Sequence, residues 1–91
     1  MEVRWTRKAV RDLERVFQRI EKDGAKTARS VVETIYDGCM SLADFPQRGR
    51  AGRIPRNREL MFPGLPYVAV YRINDSTVEI FRIWHGAQNW K

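Results

Sequence analysis

The chemistry open to this chain rests on one histidine, three tyrosines, three tryptophans and thirteen arginines, most of them in its second half. The stretch 78–90, VEIFRIWHGAQNW, begins as an apolar strand, then carries Arg82, Trp84 and His85 and closes on Trp90. A set of Arg, Tyr, His and Glu fits metal-independent cleavage of an RNA phosphodiester. That reaction needs a base for the 2′-hydroxyl, a cation for the charge that builds on phosphorus, and an acid for the leaving 5′ oxygen. Glu59 or His85 has the chemistry of the base. Arg58, Arg72 or Arg82 has that of the cation, and His85 or Tyr67 that of the acid. Trp84 and Trp90 offer faces on which bases stack. Each residue also has a structural reading. Glu59 beside Arg58 reads as a surface ion pair worth under about 1 kcal/mol. His85 reads as a strand-end histidine bonded to backbone, Tyr67 and Tyr71 as packing residues of one strand face, and the tryptophans as closures of a small core.

Other chemistries lack their residues. One His, one Cys and no paired acidic motif make no plausible metal-ligand set. There is no P-loop and no GxGxxG. Ser30 and Ser41 fall on helical patterns and Ser76 in a turn, so no nucleophilic serine partners His85. No cofactor is expected.

The elements that must position these residues come from a chain of 91 residues, one domain in length. A chain this short buries about 60–65% of its unfolded surface, so its core is small. With 43% hydrophobic residues it folds rather than stays disordered. The lone Cys39 excludes an internal disulfide and sits at helical spacing among apolar residues, as a core residue would. No apolar run approaches the ~20 residues of a membrane span, and the charged start MEVRWTRK is unlike a leader peptide. A reducing cytoplasm is the expected location. Seventeen Lys and Arg against eleven Asp and Glu give a net charge of +6, with a pI near 10.1. That balance suits polyanions or acidic proteins as partners.

Residues 2–5 alternate, with Val3 and Trp5 on one side, as a short strand. Thr6 reads as an N-cap. From Arg7 to Lys22 the apolar residues Ala9, Leu13, Val16, Phe17 and Ile20 mark one face of a helix, which Asp23-Gly24 ends. Ala28, Val31, Val32, Ile35, Cys39 and Leu42 mark a second helix, ended by Pro46. The stretch 46–58, PQRGRAGRIPRNR, is a basic loop with room for a short edge strand around Arg53. ELMF, PYVAVYRI and TVEIFRIW read as three strands, the last two joined by a turn at Asn74-Asp75-Ser76. A three-residue turn sets Val70 opposite Ile80 and Val68 opposite Arg82. The expected fold is α+β, in the order β-α-α-β-β-β. An N-terminal strand pairs along one edge, an antiparallel helix hairpin covers one face, and the C-terminal strands form an antiparallel meander.

In this order, WTRKAVRDLERVFQRI, SLADFPQRGRAGRIPRNREL, LPYVAVYRI and VEIFRIWHGAQNW resemble the RelE/ParE superfamily of toxins from type II toxin–antitoxin modules. The resemblance spans almost the whole chain. It implies a small α+β toxin, wrapped by an acidic or amphipathic antitoxin that alone contacts operator DNA, and no membrane partner. It implies one of two activities. RelE-like members are metal-independent endoribonucleases that cut mRNA on the ribosome. ParE-like members poison DNA gyrase and cut nothing. A third outcome is a degenerate member that only binds its antitoxin and represses its operon. On the ribonuclease side, Glu59, Arg72, Arg82 and His85 are the catalytic candidates, with His85 at the position of a C-terminal catalytic histidine. Arg50, Arg53 and Arg56 stand for the lysine-rich stretch of the prototype ribonuclease, and with Arg58, Tyr67, Trp84 and Trp90 would bind RNA or target. On the other side, Val68-Ala69-Val70 stands where some ribonuclease relatives place a catalytic arginine.

Overall fold

The computed structural model describes residues 1–86. The chain runs β1 (Glu2–Trp5), α1 (Arg7–Glu21), α2 (Ala25–Met40), a short 3-10 turn (Ser41–Ala43), β2 (Arg50–Ala51), β3 (Arg58–Met61), β4 (Tyr67–Asn74) and β5 (Thr77–His85). The Thr6 hydroxyl accepts from the amide of Ala9 at 3.1 Å and donates to the carbonyl of Phe81 at 2.9 Å. One side chain thus caps α1 and ties its start to the last strand. Gly24 lies at φ 143° between the helices, a conformation costly for any residue with a Cβ. The second helix stops at Met40, six residues before Pro46, and its last turn tightens into the 3-10 segment.

The sheet has five strands in the order β1-β5-β4-β3-β2. The meander β3-β4-β5 is antiparallel as expected, and β1 lies on its edge, parallel to β5. The basic loop adds the fifth strand at Arg50–Ala51, slightly before the place the sequence suggests, paired antiparallel with β3. The helix hairpin packs on one face. Ala9, Val16, Ile35, Cys39 and Leu42 meet Leu60, Phe62, Tyr67, Ala69, Tyr71, Val78, Ile80 and Ile83 in one core. At Gly38 an added Cβ would sit 2.6 Å from the Phe62 ring, so α2 approaches the sheet where no side chain fits.

The register between β4 and β5 differs from expectation. The turn is the two residues Asp75-Ser76, with Asp75 at φ 49°, and Asn74 pairs with Thr77. Tyr71 therefore faces Ile80, and Val70 faces Arg82 rather than Ile80. Between these pairs β5 carries one extra residue, Phe81, as a β-bulge. The bulge lets Val78, Ile80 and Ile83 all enter the core, which strict alternation would forbid.

Candidate functional site

Alternation along β4 sorts the functional candidates by face. Tyr67, Ala69 and Tyr71 point to the helices. Val68, Val70 and Arg72 point the other way, away from both described helices. Two cross-strand rows define this second face, Met61–Val68–Trp84 and Glu59–Val70–Arg82. Val68 and Val70 are only 2% and 3% exposed, although they stand outside the core cluster.

Glu59 is buried at 2% exposure and is not paired with Arg58. Neighbours on a strand point to opposite faces, so that expected surface pair cannot form. Glu59 instead takes Arg50 at 3.1 Å and accepts the backbone N–H of Arg53 at 3.3 Å. Arg58 lies on the helix side. It donates to the Tyr71 hydroxyl at 3.4 Å, to the Gln47 carbonyl at 2.9 Å and to the Gly49 carbonyl. The Tyr71 hydroxyl also accepts from Gly49 N–H at 2.9 Å and donates to the Pro46 carbonyl at 2.7 Å. Its hydrogen-bonding capacity is spent on clamping the 46–49 loop. Arg72 holds the Asn57 side-chain oxygen with two N–H groups at 3.2 and 3.0 Å, and its guanidinium lies 5.0 Å over the Phe81 ring.

Arg82 sits past the end of β1, where the edge of β5 is open, and turns to α1. Its fork grips Asp12 at 2.8 and 3.1 Å, and Asp12 also accepts the edge N–H of Ile83 at 3.0 Å. That hydrogen bond to Asp12, more than the opposing effect of burial, raises the Arg82 pKa further above its ordinary value. The guanidinium also lies 5.3 Å from the Trp84 ring. His85 faces Tyr67 across the strands, edge to face at 5.5 Å. A cleft of about 400 Å³ beside α1 gathers Arg15, Arg19, Arg82, Tyr67 and His85. A second, of about 580 Å³, gathers Arg56, Arg58, Arg72 and Asn57 near the far end of β4.

The four catalytic candidates therefore fall in separate places. Arg82 and His85 line the cleft beside α1, Arg72 lines the other, and Glu59 lies in neither. Three residues along β4 and two strands across separate the Cα atoms of Glu59 and His85 by on the order of 14 Å. Trp90 lies outside the described residues. Among the described residues no group of His, Cys, Asp and Glu could hold a metal ion, and no helix is long and apolar enough to cross a membrane. The residue missed in the sequence is Asp12. Its signal was its place on the apolar stripe, three after Ala9 and four before Val16, where a carboxylate needs a buried partner.

A helix hairpin on one face of a mainly antiparallel sheet, with arginine-lined clefts beside it, defines a small α+β domain. Residues 3–90 match the family described as the ParE toxin of the type II toxin–antitoxin system parDE. The Sinorhizobium fredii protein Y4kP is 41% identical over 97% of this chain and 91% of its own length. Toxin RelE2 of Caulobacter vibrioides is 31% identical over 96% of this chain and 97% of its own. A solved structure, the chromosomal ParDE toxin–antitoxin system from P. aeruginosa, superposes with a TM-score of 0.86 at 27% identity, covering 93% of this chain and 95% of that one. The chain belongs to the ParE toxin family, within the RelE/ParE group of type II toxins.

Proposed function

We propose that this toxin arrests growth by binding DNA gyrase and not by cutting RNA. The observation that carries this reading is the centre of the sheet face turned away from the two helices. Val68 and Val70 lie there, between Met61, Trp84, Glu59 and Arg82. Met61, 49% exposed, gives this face an apolar contact, while Glu59 is buried against Arg50 and Arg82 is already paired with Asp12, so this part of the face suits a protein contact better than a phosphate. The separation of Glu59 from His85 supports the same reading, because a base and an acid must reach one phosphodiester. The same face, with the chain's net charge of +6, suits an acidic or amphipathic antitoxin that holds the toxin in check. That antitoxin would carry any contact with operator DNA.

The test is supercoiling by purified gyrase with rising amounts of the chain. Inhibition is expected. It should weaken at least about tenfold for Met61→Glu, which places a charge in the contact, with an unchanged melting temperature because Met61 is 49% exposed. Full supercoiling at saturating protein would end this reading. A ribosome-dependent ribonuclease is the second reading, favoured by the cleft that joins His85, Tyr67 and Arg82. It predicts new mRNA 5′ ends in a reconstituted translation reaction, lost with His85→Ala.

A further inference from the structure

We propose that the cleft between the 52–57 loop and the end of β4 is a binding site for phosphate oxyanions. Arg56, Arg58 and Arg72 line it, and Asp75 is the one carboxylate on its wall. Two of these arginines are partly buried, yet the groups that hold them are neutral. Arg72 is held by the amide oxygen of Asn57. Arg58 is held by two carbonyl oxygens and a tyrosine hydroxyl. Partly buried charges are normally matched by opposite ones, as Asp12 matches Arg82 in this chain. Here Glu79, across the sheet from Arg72, accepts from Asn74 instead, and among the described residues neither Arg58 nor Arg72 forms an ion pair, so an anionic ligand would supply the match.

Arg56 adds an independent sign. Its φ of 72° is left-handed, which a residue with a Cβ adopts at a cost, and such residues gather at ligand sites. The loop enforces this conformation. Gly52 N–H donates to the Asn57 carbonyl at 2.7 Å, Asn57 N–H to the Ile54 carbonyl at 3.0 Å, and Arg53 N–H to Glu59. A glycine would serve the turn better, yet an arginine stands there, and its side chain has no hydrogen-bond or ion-pair partner among the described residues. The Arg56 fork and the N–H groups that Arg58 and Arg72 do not spend on Tyr71, Gln47, Gly49 and Asn57 offer more donors than the two oxygens of one carboxylate accept, whereas a phosphate group matches them. The open volume of about 580 Å³ admits a phosphate together with what it is attached to. Arg72 reaches this cleft from the far end of the same sheet face, but the titration reads phosphate binding directly, so its outcome does not depend on the gyrase reading.

The experiment is an NMR titration of the full chain with pyrophosphate, with glutarate as a dicarboxylate control, and with a short DNA duplex. Saturable shifts are expected at the side-chain N–H signals of Arg56, Arg58 and Arg72. Arg56→Gly should weaken pyrophosphate about fivefold or more while its melting temperature stays level or rises, since the left-handed turn is relieved. A purely structural role for Arg56 would instead lower the melting temperature. Asn57→Asp, which gives Arg72 an internal carboxylate, should weaken binding likewise. A duplex that binds the same signals about tenfold or more tightly than pyrophosphate, with a steep salt dependence, identifies a nucleic-acid backbone as the source. Equal or weaker binding identifies a free phosphate compound. Absent shifts, wild-type affinity in Arg56→Gly, or equally tight glutarate would overturn the proposal.

Discussion

Arg82 was a natural suspect for catalysis, and its contacts give it another duty. With Asp12 it closes the edge of β5 that β1 is too short to cover, at 2.8 Å and with Asp12 only 6% exposed. Removing either partner strands the other. We expect Asp12→Ala and Arg82→Ala each to cost about 2–4 kcal/mol in urea unfolding, with a coupling of about 1 kcal/mol or more in the double-mutant cycle. Simple additivity would show that the two act independently. A toxicity screen of Arg82 variants must therefore be read against stability. Cys39 gives a residue-scale prediction of a different kind. Burial pushes its thiol up to about 12 from 9.0. The unfolded chain then loses a proton that the folded chain keeps, so stability falls as pH rises from about 9 toward 12. At pH 10 the loss from this group is about 1.4 kcal/mol relative to pH 8. Cys39→Ala removes that slope, so its stability deficit against the parent chain should narrow by this amount between pH 8 and pH 10.

At the scale of elements, helices were the most legible part. The stripes from Ala9 to Ile20 and from Ala28 to Cys39 lie inside α1 and α2 as observed, because period 3.6 is written locally. Strand existence was legible for the same reason. Register was not, because a two-residue turn at Asp75-Ser76 and the extra residue Phe81 are decided by contacts across the sheet. The functional candidates suffered from this directly: their residue types were visible, while their division between two clefts and two faces depended on the register. The approach of α2 to β3 makes a testable case where local preference and packing oppose each other. Gly38→Ala should gain up to about 1 kcal/mol of helix propensity. It also drives a methyl group to 2.6 Å from the ring of Phe62, which is 4% exposed and has little room to move. Overpacking of this kind costs about 1–3 kcal/mol, so a net loss of stability is expected in thermal denaturation. A rise in melting temperature would show that the ring gives way.

For the whole molecule, the decisive arrangement is that β1 and β5 are neighbours although they lie at opposite ends of the chain. Among the described strands, the register Glu2–Thr77 to Trp5–Ile80 closes the largest loop. Such long-range pairing is slow to form and leaves the fold dependent on its final strand. A chain ending at Asp75 should lack cooperative unfolding in circular dichroism, since β1 loses its strand partner and β4 one of its two. A cooperative transition in that fragment would contradict this. The pairing also sets a timetable during synthesis. While the last strand is still being made, the first has nothing to dock on, and Asp12 has no edge to seal. The nascent chain is therefore expected to lack the docked fold until β5 has emerged, and chains stopped before β5 should leave growth unchanged when expressed. The interval between completion and docking of β1 is the time in which a partner already present can meet the toxin before it is armed.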